Sequence, residues 1–271
     1  MRNREREISA QMAAAYIRDR VPVDFKPRVG LILGTGWGDV LQLEKAVAIS
    51  FSVVPGFSAL TDLPGHARQL VAGELAGKQV VVLRGRVHMN EAPSDPEIAK
   101  MVRLQTEMLM QLGVQQLIVT SAVGAVGTVL QVGSVGVVDG FVTLFAPEMP
   151  LWGGEFCSPE DALSERLRTV ALEEQGDLHL TAAGHAMVRG PFFEGRTYDK
   201  QTWLAAGADM VGMSLLPEAC VAALYEGVEV LGLGFVTNDD VAAHSHEVNL
   251  RRAQVSSVQL GELLTRIVSR L

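Results

Sequence analysis

A long uncharged stretch, residues 112–138, limits most strongly what this chain can fold into. About 20 apolar residues in a row can cross a membrane as a helix, so a membrane span is one interpretation of this stretch. It contains, however, several glycines and glutamines among many valines. Valine favours strands, and glycine marks the turns between them. The stretch therefore predicts two buried β-strands separated by turns, and we expect no membrane partner.

Short apolar runs bounded by glycine lie along the whole chain. Continuous runs of this kind are typical of strands that are covered on both faces. They occupy residues 28–33, 79–83, 116–120, 136–138, 186–188, 210–212 and 228–235. Apolar stripes at helical spacing lie between and after them, at residues 98–112, 217–226 and 255–271. This alternation predicts one α/β domain, residues 1–271, with a mixed or mostly parallel sheet flanked by helices.

Charge and cysteine content exclude several classes of protein. The formal net charge is −8, which argues against nucleic acid or a membrane surface as a partner. Cys157 and Cys220 are the only cysteines, too few for a disulfide framework and suited to a reducing compartment. Residues 1–7 alternate in charge without an apolar run, which is unlike a signal peptide. We therefore expect the protein in the cytoplasm.

Residues 207–218 predict a site for a phosphate-sized anion. A buried strand at residues 209–212 is followed by Met213 and Ser214, and Pro217 then opens a helix. The N-terminus of a helix presents free backbone N–H groups, and the Ser214 hydroxyl adds a donor beside them.

Three other strand ends also carry groups suited to an anion. Thr35 lies in a glycine-rich turn whose third glycine comes one residue too early for a dinucleotide fingerprint. Arg86 and His88 point to the same side of an extended segment and offer a guanidinium and an imidazole. The small-residue turn around Ala122 offers backbone N–H groups.

Two later segments suit a planar heterocycle. The Phe193 ring can stack on a flat ring while the Glu194 carboxylate accepts a hydrogen bond from a ring N–H. The Asn238 amide offers both a donor and an acceptor. Because open α/β sheets bind ligands at the ends of their strands, we expect all these groups to form one composite site.

Histidines and aspartates also gather after Asn238, at Asp239, Asp240, His244 and His246. Their spacing matches no standard zinc pattern, and neither cysteine lies near them in the sequence. The sequence therefore predicts no metal ion.

Taken together and in this order, the motifs resemble those of the trimeric purine nucleoside phosphorylases of the nucleoside phosphorylase superfamily. The matching segments are G-R-V-H-M at residues 85–89, G-P-F-F-E at 190–194, V-G-M-S-L-L-P-E at 211–218 and V-T-N at 236–238. The resemblance extends from about residue 29 to the terminal helix. It implies an α/β fold with a mixed central β-sheet that is partly closed into a barrel and flanked by α-helices.

The resemblance also implies a reaction. Members of that family split the N-glycosidic bond of purine (deoxy)ribonucleosides with inorganic phosphate, and they release the free base and (deoxy)ribose 1-phosphate. They need no metal or organic cofactor, because phosphate is a co-substrate, and they form homotrimers. The implied partners are a purine nucleoside, phosphate and further copies of this chain.

Residue roles follow from the same resemblance. The implied phosphate contacts are Thr35, Arg86, His88, Ser214, the loop residue His66 and the backbone of Ala122. The implied base and sugar contacts are Phe193, Glu194, Met213, Thr237, Asn238, His246 and Asn90. Catalysis is implied for Asn238, Glu194 and His88. The Asn238 amide is expected to stabilise negative charge on the leaving purine, because an amide is too weak an acid to donate a proton outright.

Three residues depart from the family pattern. Thr35 replaces a serine, Asn90 a tyrosine that lies against the sugar, and Ser121 an asparagine in the turn before Ala122. These changes bear on sugar preference and turnover more than on the type of reaction.

Loops that suit lids lie at residues 53–68 and 147–158, where proline, glycine and aromatic residues gather. The second of these is shorter than in the family, which takes one aromatic side chain from a neighbouring subunit. Phe156 and Phe145 are the candidates for that role.

The pair Glu194 and Asn238 favours 6-oxopurine nucleosides, inosine and guanosine. Two alternatives stay open. A methylthioadenosine phosphorylase would act on a 6-aminopurine, and Asp240 leaves room for it. The other alternative is a non-catalytic protein that binds nucleoside or phosphate. It stays open because Asn90 and Ser121 depart from the family pattern.

Overall fold

The computed structural model describes residues 2–57, 67–92, 95–190, 197–239 and 246–271, and only the backbone at residues 2–6, 246, 247, 249 and 250. The strands are β1 (Val29–Leu33), β2 (Glu44–Ser50), β3 (Gln69–Leu75), β4 (Lys78–Arg84), β5 (Gln116–Ala125), β6 (Val135–Val142), β7 (Leu180–Met187), β8 (Met210–Gly212) and β9 (Glu229–Asn238). The helices are α1 (Arg2–Arg18), α2 (Pro96–Leu112), α3 (Glu165–Glu173), α4 (Tyr198–Ala205), α5 (Leu216–Ala222), α6 (His246–Val255) and α7 (Ser257–Ser269).

The strands form one nine-stranded sheet in the order β2-β3-β4-β1-β5-β8-β7-β6-β9. An additional parallel pairing between β5 and β9 closes the strands β5, β8, β7, β6 and β9 into a ring. Parallel and antiparallel pairs both occur: β1 is parallel to β4 and β5, whereas β3 is antiparallel to β2 and β4. The predicted mixed sheet, partly closed into a barrel, is therefore confirmed.

Strand β1 shows why the apolar runs are continuous. All five of its residues are buried, and successive side chains enter different layers of the core. Ile32 packs in the cluster that contains α1 and α2, whereas Leu31 and Leu33 pack in the cluster that contains α7. Since side chains alternate across a strand, a strand between two helical layers needs apolar residues at every position.

The uncharged stretch at residues 112–138 contains β5 and the start of β6. This confirms the prediction of two buried strands. Among the residues whose structure is described, no helix combines the length and the apolar character that crossing a membrane requires.

The sequence patterns did not predict every strand and helix. Strands β2 and β3 were not predicted, and neither was α1. Most residues of β2 are exposed or partly exposed, so its sequence shows no continuous apolar run. The predicted helix at residues 217–226 is α5, which ends earlier, at Ala222, and has only seven residues.

Candidate active site

The ends of four mutually parallel strands bring the residues that are predicted to bind phosphate to one edge of the sheet. Strands β4, β1, β5 and β9 are neighbours in this order and run in the same direction. The segments that hold Thr35 and Arg86 follow β1 and β4, and Ala122 lies in the last half of β5. Strand β8 runs antiparallel to β5, with Val211 opposite Gly124, and so carries Ser214 back towards this edge.

Arg86 is enclosed at this edge by oxygen atoms of the protein. Its Nη1 donates to Oε1 of Glu218 at 2.6 Å, and its Nη2 donates to the backbone oxygen of Thr120. The side chains of Arg86 and Glu218 are 1 % and 2 % exposed. A Cβ on Gly34 would lie 2.8 Å from Nη2 of Arg86, so the enclosure requires glycine there. The positive charge of Arg86 is thus compensated inside the protein by Glu218.

His88 is held as a neutral imidazole of one tautomer. Its Nδ1 accepts a hydrogen bond from the backbone N–H of Asn90 at 3.2 Å, which leaves the ring proton on Nε2. Burial, and then the charge of Arg86, lower the pKa of His88 to about 4. At neutral pH the side chain therefore offers one N–H donor and no charge.

Two buried serines, Ser121 and Ser214, contact each other through their hydroxyl groups. The Oγ atoms of Ser121 and Ser214 are 2.8 Å apart, and Oγ of Ser121 also donates to the backbone oxygen of Ala122 at 3.0 Å. Nε1 of Trp37 donates to the backbone oxygen of Ser121 at 3.1 Å. Leu215 follows Ser214 with a φ of +76°, an uncommon conformation for a residue with a branched side chain. These contacts join the loop after β1 to the loop before α5.

The predicted site for the base is at the end of β9. Asn238 is 3 % exposed, and its Oδ1 accepts a hydrogen bond from Oγ1 of Thr237 at 3.1 Å. Nη1 of Arg252 donates to the backbone oxygen of Thr237 at 2.5 Å. The Thr237 hydroxyl lies within hydrogen-bond distance of both Oδ1 of Asn238 and the backbone oxygen of Val123, at 3.1 and 3.3 Å.

Asn90 and Met213 both lie close to Gly190. The backbone N–H of Gly190 donates to Oδ1 of Asn90 at 3.4 Å, and a Cβ on Gly190 would lie 2.3 Å from Sδ of Met213. The Nδ2 group of Asn90 is buried and has no hydrogen-bond partner among the described residues. The chain thus supplies a polar amide at the position where the resemblance expects a tyrosine.

Several predicted residues lie outside this description. His66, Phe193, Glu194, Asp240 and His244 lie outside the described residues, and His246 is described only as the first backbone position of α6. Of the two candidate aromatics, Phe145 packs edge-on against Trp203 with 6.4 Å between ring centroids. Phe156 is 91 % exposed.

Sequence reasoning missed the residues that support the site. Glu218, Thr120 and Trp37 were not singled out, although Glu218 closes the V-G-M-S-L-L-P-E segment. Ser214 lies before α5, as expected, but the helix has only seven residues, and the Ser214 hydroxyl contacts that of Ser121.

His185 is a buried histidine that no predicted role uses. It is 0 % exposed, its ring packs edge-on against Phe141, and its Nε2 would lie 3.0 Å from a Cβ on Gly212. Neither ring nitrogen is hydrogen-bonded to another residue in the described parts of the chain. Burial lowers the pKa of His185 to about 3.

This pKa makes stability depend on pH with a defined sign. Between pH 6.5 and 3 the unfolded chain binds a proton at His185 that the folded chain does not, so the free energy of unfolding falls as pH falls. His185 adds a slope that approaches about 1.4 kcal/mol per pH unit below pH 6.5, and the His185→Leu variant should lose this share, whereas His88, whose pKa is also lowered, keeps its own. Urea unfolding at pH 7, 6 and 5 measures the slope, with the exposed His179→Gln as control. Equal slopes for His185→Leu and the unsubstituted protein would contradict the prediction.

The chain is similar in sequence to known proteins. The family model of the phosphorylase superfamily matches residues 28–269. Purine nucleoside phosphorylase 1 of Geobacillus stearothermophilus is 34 % identical over 237 residues, which cover 84 % of this chain and 83 % of that protein. Purine nucleoside phosphorylase of Bos taurus is 30 % identical over 262 residues, with 91 % and 88 % covered.

Solved structures show the same fold. Isoform 2 of purine nucleoside phosphorylase from Schistosoma mansoni, in complex with cytosine and ribose-1-phosphate, superposes with a TM-score of 0.83 at 26 % identity, covering 97 % of this chain and 96 % of that one. Schistosoma mansoni purine nucleoside phosphorylase in complex with inosine gives a TM-score of 0.82 at 25 % identity, with the same coverage. The chain therefore belongs to the purine nucleoside phosphorylases, a family of pentosyltransferases within the phosphorylase superfamily.

Proposed function

We propose that this enzyme splits 6-oxopurine nucleosides, inosine and guanosine, with inorganic phosphate, in both the ribose and the deoxyribose series. The observation that carries the proposal is the place of Asn238, whose amide is buried at the end of β9 with its oxygen accepting from the Thr237 hydroxyl at 3.1 Å. A 6-oxopurine leaves with negative charge spread over its ring, and an N–H donor aimed at N7 stabilises that charge as it develops. Glu194, four residues after Gly190, is assigned to N1–H of the base.

Phosphate is assigned to the edge lined by Thr35, His88, Ser214 and the backbone of Ala122, with Arg86 behind them. Cleavage of the glycosidic bond leaves positive charge on the sugar, as in an oxocarbenium ion. A phosphate held beneath the sugar stabilises this charge and then attacks the anomeric carbon. The sugar is assigned to Asn90, Met213 and His246, and His66 to the phosphate. No metal or organic cofactor enters this scheme.

The test is a coupled assay of hypoxanthine release from inosine, with and without phosphate. We expect release that depends on phosphate and yields ribose 1-phosphate in equal amount. Release that is independent of phosphate would indicate hydrolysis and contradict the proposal, and tight binding without release would indicate a non-catalytic relative.

Base preference needs its own comparison, because purine nucleoside phosphorylase of Schistosoma mansoni has been crystallised in complex with adenosine as well as with inosine. We expect kcat/KM for inosine and guanosine to exceed that for adenosine and methylthioadenosine. A preference for methylthioadenosine would favour the alternative function.

We also propose a homotrimer in the cytoplasm. Leu144 and Phe156 are large apolar side chains that are 81 % and 91 % exposed in the single chain, both in the segment between β6 and α3. Surfaces that contact another chain carry contiguous apolar patches, and the proposed trimer would cover these two side chains. Light scattering after size exclusion gives the molar mass; a monomer at micromolar concentration would contradict the trimer.

A further inference from the structure

We propose that Ser121 is a positioning residue that turns the Ser214 hydroxyl towards the phosphate oxyanion. The proposal rests on the phosphorolysis proposed above and deepens it. The observation behind it is the distance of 2.8 Å between the two Oγ atoms, both of which are buried. Ser121 stands where the family resemblance expects asparagine, so the arrangement belongs to this chain.

Counting hydrogens shows what Ser121 does. Each hydroxyl has one hydrogen and can accept from others. Either hydroxyl can supply the hydrogen between the two serines, and when Ser121 donates to the backbone oxygen of Ala122 at 3.0 Å, that hydrogen comes from Ser214. An oxyanion beside Ser214 attracts that hydrogen instead. The Ser121 hydrogen then turns to Oγ of Ser214, so the two buried hydroxyls stay hydrogen-bonded to each other.

The charges at the site make this donor important. Arg86 is compensated by Glu218 at 2.6 Å, and His88 carries no charge at neutral pH. The described part of the site therefore attracts an anion mainly through oriented neutral donors. In a site with little net charge, a hydroxyl whose hydrogen points at the anion contributes more than one that rotates freely.

The backbones of Ser121 and Ser214 are held by neighbouring residues, so only the two side chains are left to rotate. Ser121 is paired with Gly234 of β9, and its backbone oxygen accepts from Nε1 of Trp37. Ser214 is held between β8 and Leu215, whose positive φ fixes the direction of the chain. We therefore expect that removing the Ser121 hydroxyl deletes one oxygen without moving Ser214.

The experiment compares Ser121→Ala, Ser121→Thr and Ser121→Cys in steady-state kinetics. For Ser121→Ala we expect the KM for phosphate to rise about five- to tenfold, the typical effect of one lost hydrogen bond, while the KM for inosine changes less than twofold. Ser121→Thr keeps a hydroxyl and should restore the phosphate KM. Ser121→Cys has a weaker donor, so its KM for phosphate should lie between the values for Ser121→Ala and the unsubstituted enzyme. This variant replaces Ser121→Ala as the test if the alanine variant does not fold. Ser134→Ala, at a buried serine that bonds to Gln131, is the control.

Binding of inorganic phosphate alone, by calorimetry without nucleoside, separates this inference from the proposed reaction. Weaker phosphate binding by Ser121→Ala supports the inference even if inosine is not split, in which case the proposed reaction fails by itself. Unchanged phosphate affinity and KM in Ser121→Ala, or in Ser121→Cys if alanine does not fold, would overturn the inference. An equal rise in both KM values would also overturn it, because that indicates a general structural effect.

Discussion

Glu218→Leu is expected to lower the free energy of unfolding by about 3–5 kcal/mol, because it leaves the Arg86 guanidinium buried without its counter-ion. The two side chains are almost fully buried and joined at 2.6 Å, so solvent cannot replace the lost carboxylate. Urea or thermal unfolding near pH 7 measures the loss. We expect phosphorolysis to fall as well, since Arg86 lies behind the proposed phosphate site.

Two further variants make this experiment specific. The double variant Arg86→Met with Glu218→Leu removes both charges, and it should be more stable than Glu218→Leu alone while its phosphorolysis stays low. Glu229→Gln breaks a partly exposed pair with Arg166 and should cost no more than about 1 kcal/mol. If Glu218→Leu costs as little as Glu229→Gln, Arg86 is not buried as a paired charge and the interpretation is wrong.

Asn238→Ala is expected to lower kcat for inosine phosphorolysis by about 100- to 1,000-fold, the typical effect of removing one preorganised donor to a developing negative charge. Steady-state rates at saturating phosphate measure it. The KM for phosphate should change little, because the amide is assigned to the base and not to the anion.

Thr237→Val tests the Asn238 amide donor without removing it. It removes the hydroxyl that donates to Oδ1 of Asn238 at 3.1 Å but keeps the shape of the side chain. We expect a smaller loss in kcat, about tenfold, because the amide remains but is no longer held in one orientation. A kcat for Asn238→Ala within tenfold of the unsubstituted enzyme would show that Asn238 does not stabilise the leaving base.

The fold was predictable where local pattern and burial agree. Strands β1, β4, β5 and β9 are continuous apolar runs, and α2 and α7 carry apolar stripes, because each is covered by a neighbouring layer. Strand β2 at the sheet edge is largely exposed, so its sequence lacks that signal. Helix α1 is rich in charged residues, and its few buried side chains, Ala13, Ala14 and Ile17 among them, are too small and too sparse to form a clear stripe.

The sequence by itself determined which strand ends carry donors and which residue types stand there, because glycine turns, buried strands and polar side chains are local properties of the chain. Tertiary structure alone decided the partners. Glu218 is 132 positions from Arg86 in the sequence, and Ser214 is 93 positions from Ser121, yet each pair is in contact. Such contacts arise only when the sheet closes between β5 and β9 and β8 runs back along β5. Charge compensation and hydroxyl orientation act over a few ångströms, and no local pattern reports which distant residues come that close.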